Sequence, residues 1–261
     1  MKIGKSLLVA TALSGVSIQI SALELLGQVQ LINPVHLVSQ VSGVLEKVDG
    51  QVGESVKSGR KLTTIQVFDY ELAVKKQAAN LALAKADMTI KQSIYHRYQT
   101  LKKKKSLSQN ELDVAKADMD SARATVELAR IQLAEAKNNL EDTVVVSTID
   151  GIITQRHVES GAWVDRGTPL FQVANIDTVR IRFFASQYDL DELRIGMPVE
   201  LWLEGSRDEK VTARIERIGI QPDDQSKSYP VFVSIDNIDH VYRPGMTVYA
   251  STQSSSVKGS R

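Results

Sequence analysis

Residues 42–62 read SGVLEKVDGQVGESVKSGRKL, and residues 150–170 read DGIITQRHVESGAWVDRGTPL. Set side by side at a constant offset of 108, the two stretches share Gly43/Gly151, Gly53/Gly161, Val56/Val164, Gly59/Gly167 and Leu62/Leu170, and Val44-Leu45 answers to Ile152-Ile153. Each copy reads as a strand, a turn, a short second strand and a glycine turn into a third. One such unit exposes an apolar face and cannot fold alone, whereas two copies can close on each other as a flattened sandwich. The six shared glycines stand where the tight turns fall.

What lies between the copies differs in kind. From Arg60 to Asp150 there is neither glycine nor proline, although the chain holds 15 and 6 of them. Both residues interrupt helices, so their joint absence points to long helix. Leu112, Ala115, Met119, Ala122, Val126, Ala129, Leu133, Ala136 and Leu140 alternate steps of three and four, which is a heptad seam. A looser seam is read in the preceding arm through Leu72, Ala79, Leu83, Ala86, Ile90, Ile94 and Leu101. Between the arms, Lys102–Lys105 offer no apolar face, and Ser108-Gln109-Asn110-Glu111 fits a capping box that starts a second helix. The reading is an antiparallel hairpin, 69–103 and 108–142, with arms about 50 Å long.

After the second copy the period returns to two. VRIRFFA, PVELWL, VTARIERIGI, YPVFVSI and MTVYAS suit the strands of a small antiparallel barrel, with Ser186–Leu193 as a short helix among them. The expected fold is α+β, elongated and multidomain: a lipoyl-like β-sandwich (28–67 plus 143–174) interrupted by a coiled-coil α-helical hairpin (68–142), then a β-barrel (175–251) and a loose tail (252–261). Residues 1–22 read as a secretory signal, with Lys2 and Lys5 ahead of an apolar run from Ser6 to Val16. An uncleaved membrane anchor is the other reading of that segment, although the run falls short of about 20 residues.

Composition excludes several classes. The net charge is +1, and 30 basic against 31 acidic residues remain without residues 1–22, so no basic field calls for nucleic acid. There is no cysteine, hence no disulfide, thiolate metal site or cysteine nucleophile. His36, His96, His157 and His240 fall in different elements with no acidic partner at catalytic or ligand spacing. No phosphate loop, serine elbow or carboxylate pair occurs. Met88, Met119, Met197 and Met246 are scattered, and Trp163 and Trp202 are read as core residues. No catalytic residue, metal site or cofactor is expected, and the chain is read as no enzyme.

The order half-motif, hairpin, half-motif and barrel, ending in YRPGMTVYA (242–250), resembles the periplasmic adaptor subunits, or membrane fusion proteins, of tripartite efflux pumps. The resemblance covers 28–250. It implies a periplasmic protein associated with the inner membrane, joining a resistance-nodulation-division (RND) transporter to a TolC-like outer-membrane channel. It further implies self-association into a ring-like trimer or hexamer. An adaptor of an ATP-driven exporter is the alternative within the family. The resemblance also carries a channel-docking motif, an arginine, then leucine four residues on, then serine seven beyond, matched here by Arg97, Leu101 and Ser108. Read as residues alone, Ser108 is equally an N-cap, Leu101 a seam residue and Arg97 a solvated arm residue. A lipoyl or biotinyl carrier, the more distant rival, needs a lysine on a tight hairpin joining the halves, and here the helical insertion takes that place. Larger adaptors continue into a membrane-proximal domain, for which about ten residues follow the barrel here.

Overall fold

The computed structural model describes residues 23–252, so the signal and all but the first residue of the expected tail lie outside the described residues. In chain order the elements begin β1 (Glu24–Gln30), β2 (Val35–Val38), β3 (Gly43–Val48), β4 (Ser55–Val56) and β5 (Lys61–Ile65). The helices α1 (Phe68–Lys103) and α2 (Gln109–Glu141) follow, then β6 (Val144–Val146), β7 (Gly151–Arg156), β8 (Trp163–Val164) and β9 (Pro169–Ala174). The last strands are β10 (Thr178–Ala185), β11 (Pro198–Leu203), β12 (Val211–Ile218), β13 (Tyr229–Asp236) and β14 (Thr247–Thr252). Two compact units result: Leu31–Ile176, and the residues up to Gln30 together with those from Asp177 onward.

In the first unit the repeat is interleaved. Two four-stranded sheets run β2-β9-β7-β4 and β6-β5-β3-β8. Adding 108 to a residue number turns β2 into β6, β3 into β7, β4 into β8 and β5 into β9, so one sheet order maps onto the other. Each sheet therefore draws two strands from each copy, and the repeat reaches back to β2, earlier than the shared glycines mark it. The sandwich buries Leu45, Leu62 and Ile65 against Ile153, Leu170, Phe171 and Val173. Neither copy has a core without the other.

The hairpin enters from β5 and leaves into β6, which are neighbours in one sheet with Thr64 opposite Val144. Its root is closed by the Ile65 N–H donating to the Thr143 carbonyl at 2.8 Å. The Tyr70 hydroxyl donates to the Ser42 carbonyl at 2.6 Å and ties the first turn of α1 to the sandwich. The junction at which a lipoyl-type carrier would present its lysine is this helical root.

The second unit is a closed six-stranded barrel, β1-β10-β13-β12-β11-β14. Here the structure corrects the expected boundaries, because Gln28–Gln30 belong to β1 and not to the sandwich. The residues from 175 onward supply five strands, which leave β10 and β14 as open edges. β1 pairs with both, Gly27 opposite Phe183 and Leu25 opposite Ala250, and abolishes the edges. Leu25 and Val29 point inward with Val179, Ile181, Phe183, Val199, Leu201, Val233 and Val248.

Three further expectations change. The short helix of Ser186–Leu193 reduces to one 3-10 turn, Asp189–Asp191, and the Asp189 carboxylate accepts from the Ser186 N–H just before it at 2.8 Å. Trp163 is 65% exposed, because strand alternation gives the inward place on β8 to Val164, and its indole N–H donates to Asp165 at 3.1 Å. Trp202 is buried, but on the outer side of the barrel wall: Val199 and Leu201 take the inward places of β11. It stacks on Tyr249 at 6.0 Å, and Arg207 and Lys210 lie over its ring.

Candidate docking surfaces of the helical hairpin

The hairpin tip is built by two caps. Lys105 takes a left-handed conformation (φ 58°) just past the end of α1. Its N–H donates to the Lys102 carbonyl at 2.9 Å, and the Ser106 N–H donates to the Leu101 carbonyl at 3.0 Å. These two bonds satisfy the last carbonyls of α1 in the manner of a Schellman motif, with lysine at the position glycine usually holds. Ser108 then caps α2: its Oγ accepts from the Glu111 N–H at 3.2 Å, and its own N–H donates to the Glu111 carboxylate at 2.9 Å. The Ser108 hydroxyl donates to the same carboxylate at 2.7 Å. Those bonds, the hydroxyl first and the backbone second, hold the Glu111 pKa below its ordinary value.

On that frame Leu101 is half-buried in the last turn of α1, and its carbonyl takes part in the cap. Ser108 is exposed at the start of α2, two residues beyond Ser106. Arg97 lies one turn down α1 from Leu101; it is exposed, and its guanidinium makes no hydrogen bond or ion pair among the described residues. The tip thus holds the Leu101 carbonyl in the cap of α1 and Ser108 in the cap of α2, and leaves the Arg97 guanidinium without a partner among the described residues. Ser108 has a structural duty as cap and Leu101 a partial one. The structure gives Arg97 none.

Below the tip the two arms differ in how well their seam could be read. In α2 the expected seam is the observed one: Ala115, Met119, Ala122, Val126, Ala129 and Ala136 are buried. In α1 it is not. Leu72, Leu83 and Ile90 are 56%, 73% and 58% exposed, Ala79 and Ala86 are exposed too, and only the half-buried Ile94 and Leu101 of the expected series turn inward. The inward series runs through Gln77, Leu81, Ala84, Met88, Lys91, Ile94, Tyr98 and Leu101. Ala84 is buried and packs with Leu81 and Met88 against Val126 and Ala129. Gln77 and Lys91 interrupt this seam with polar groups, which hid its phase. Lys91 reaches Asp118 on the other arm at 3.0 Å. Hydrogen bonding to Asp118 first, and its charge second, raises the lysine pKa.

Leu72, Ala79, Leu83, Ala86 and Ile90 repeat at heptad spacing on the side of α1 away from α2. On α2, Ala117, Ser121, Ala124, Leu128 and Ile131 do the same on the side away from α1, with Leu128 and Ile131 56% and 58% exposed. A helix in a two-helix hairpin needs one apolar stripe. These carry two each.

The glycines of the two half-motifs behave as matched pairs. A Cβ on Gly43 would stand 2.6 Å from Ile65 Cγ2, and one on Gly151 would stand 2.4 Å from the Ala174 carbonyl oxygen, so both are held by close approach. Gly53 and Gly161 have φ of 87° and 84°, Gly59 and Gly167 of 83° and 90°, with open space around each, so all four are held by conformation. Among the described residues no group of three or more His, Cys, Asp or Glu could hold a metal ion, and no helix is long and apolar enough to cross a membrane.

Comparison with known proteins agrees with this architecture. Residues 33–175 match the CzcB-like, barrel-sandwich hybrid domain family, and residues 178–256 match the CusB-like, beta-barrel domain family. The multidrug efflux pump subunit AcrA of Escherichia coli (strain K12) is 28% identical over 241 residues, covering 87% of this chain and 61% of AcrA. MacA from Actinobacillus actinomycetemcomitans superposes with a TM-score of 0.78 at 25% identity, covering 89% of this chain and 78% of that one. ZneB from Cupriavidus metallidurans shares the fold, with a TM-score of 0.61 at 21% identity over 88% of this chain and 97% of that one. The chain spans between 41% and 61% of the length of the curated relatives it matches. The sandwich interrupted by a helical hairpin, the closed barrel and both domain matches make this chain a member of the membrane fusion protein family, the adaptors of efflux pumps.

Proposed function

We propose that this protein is a periplasmic adaptor, associated with the inner membrane, that joins an RND-type transporter to a TolC-like outer-membrane channel in the export of small molecules. It works as one of several copies packed side by side in a ring. The observation that carries this reading is the second apolar stripe on each helix of the hairpin. The stripe of α1 and that of α2 face opposite ways, so the α1 flank of one copy meets the α2 flank of the next. Such a heterologous contact generates a closed ring when the rotation closes, a trimer or a hexamer here. The similarity to AcrA, a multidrug efflux pump subunit, supports the choice of an export role. Parallel hairpins in a ring would put every copy's Arg97, Leu101 and Ser108 on one rim, where the outer-membrane channel docks.

The test is disulfide cross-linking in the periplasm between Leu83→Cys and Ile131→Cys placed in one chain that has no other cysteine. A ladder ending at three or six copies is expected. Monomer alone, with transporter and channel co-expressed, would remove the ring.

A further inference from the structure

The barrel has two poles, and its strand polarity decides what each carries. At one pole β1 ends at Gln30 and hands the chain on to Leu31, and the chain returns at Asp177 to enter β10, so the sequence passes there to and from the other unit. The opposite pole carries the start of β1, with the Leu23 carbonyl accepting from the Thr252 N–H at 3.0 Å, and so the point where residues 1–22 join the fold. It also carries the end of β14 and two loops, 186–197 and 219–228. Ala185 faces Tyr229 across the ladder, and Val199 faces Thr252, which sets these loops around the same rim.

Three large apolar side chains stand out from this rim: Ile220 at 94% exposed, Tyr188 at 81% and Ile195 at 70%. They are held there. Asp223 accepts from the Gln225 and Ser226 N–H groups at 3.1 and 3.0 Å and pairs with Arg182 at 2.7 Å, which pins the loop that presents Ile220. The Gly196 N–H donates to the Ile215 carbonyl at 2.8 Å and fixes the residue after Ile195. Isoleucines and a tyrosine displayed on braced loops, rather than folded inward, mark a surface with something apolar to meet. The two loops hold five carboxylates against Arg194 and Lys227, so the contact they suit is not driven by attraction to anions. The apolar run of residues 6–16 adds a position. Six residues lie between Val16 and Leu23, a reach of at most about 25 Å. While that run lies in a membrane, this pole lies next to it.

We propose that the pole bearing Ile220, Tyr188 and Ile195 rests on the lipid surface of the membrane, with the three side chains entering the interfacial layer. The identification of that membrane as the inner one rests on the function proposed above. Apolar side chains with an aromatic among them partition into the headgroup boundary without needing a charged lipid. Because the contact is apolar and the rim acidic, neutral lipid serves as well as anionic lipid.

The chain has no cysteine, so Ile220→Cys in the full chain takes one environment-sensitive label, and Ile238→Cys, 79% exposed at the opposite pole, is its control. The labelled proteins are mixed with phosphatidylcholine vesicles and, separately, with phosphatidylethanolamine–phosphatidylglycerol vesicles. In both, the label at 220 shifts to the blue and its quenching by iodide falls about fivefold, while the label at 238 does neither. Adding Tyr188→Asp to Ile220→Cys reverses the shift. Equal responses at 220 and 238, no response at either, or a response that requires anionic lipid would each overturn the proposal. So would a response to inner-membrane vesicles that keep their proteins but not to vesicles of lipid extracted from them, which would make the pole a protein-docking face. None of these outcomes touches the Leu83–Ile131 ladder, so the adaptor reading stands or falls separately.

Discussion

The backbone N–H of Gly161 donates to the carbonyl of Leu45 at 2.7 Å, tying the turn of the second half-motif to a strand of the first. The relation is reciprocal, since Gly53 donates to Ile153 at 2.8 Å, and 108 residues separate both donors and both acceptors. Gly59 to Ser147 and Gly167 to Ser39, both at 2.7 Å, repeat the exchange at the next turn. The glycine turns therefore lock one copy to the other rather than closing each copy on itself.

That division of labour predicts unequal costs for the same substitution. Gly161→Ala should cost about 1 kcal/mol, since the left-handed backbone penalises a side chain by about 1–2 kcal/mol and a stiffer unfolded chain returns part of it. Gly151→Ala should cost about 3 kcal/mol, because its Cβ meets the backbone of Ala174, which cannot yield without moving β9. Denaturant unfolding of both variants checks this, and the reverse order would contradict it.

The neighbours Leu81 and Leu83 test the phase of α1. Leu81→Ala removes a half-buried contact with the seam and should cost about 1–2 kcal/mol. Leu83→Ala, 73% exposed, should stay within about 0.5 kcal/mol in the isolated protein. In the periplasm the ranking should invert for assembly, with Ile90→Asp on the same outward stripe weakening the Leu83–Ile131 ladder and Leu81→Ala leaving it.

Why one arm was legible and the other was not follows from those residues. In α2 every seam position is apolar, whereas the outward stripe is broken by Ser121, so the longest unbroken 3–4 alternation is the seam. In α1 the true seam contains Gln77 and Lys91, while the outward stripe of Leu72, Leu83 and Ile90 is the more aliphatic. Periodicity finds apolar stripes but does not say which partner each one meets. The barrel posed the same difficulty through distance: β1 lies about 150 residues before β10 in the chain, and nothing in ELLGQVQ names its partners. The glycines were legible because their turns are local, and the capping box because its four residues are adjacent. At the tip, Lys105 in the left-handed position gave no signal, since glycine is what marks such a site.

The capping box makes the tip sensitive to acid. The Glu111 pKa is lowered by its bonds to Ser108, so the carboxylate form stabilises the folded tip at neutral pH. That contribution is present above the ordinary glutamate pKa of 4.5 and is lost as pH falls below it through the lowered value. Ser108→Ala should cost about 1 kcal/mol at pH 7 and flatten this part of the acid dependence. Unfolding curves from pH 7 to pH 3 on the two proteins read it, and an unchanged acid limb in Ser108→Ala would count against the assignment.

Arg97 gives the sharpest test of channel docking, because folding makes no use of it. Its guanidinium is exposed and unpaired among the described residues, so Arg97→Glu should leave helix content and thermal stability within about 0.5 kcal/mol of the parent. A docking role asks more of it. An arginine on the rim of a parallel ring presents a planar, permanently charged fork to carboxylates or carbonyls of a partner, and reversing its charge turns attraction into repulsion in every copy at once. Arg97→Glu should therefore abolish transport and in vivo cross-linking to the outer-membrane channel, while the Leu83–Ile131 ladder keeps its length. Leu101→Asp should lose docking as well, but with some loss of stability, because Leu101 is half-buried and sits in the α1 cap. Arg97→Lys separates geometry from charge: partial docking points to a simple cation, and full loss to a bidentate contact. If Arg97→Glu and Leu101→Asp both kept full efflux and channel cross-linking, the two would be arm residues only, and the channel would have to meet the hairpin elsewhere.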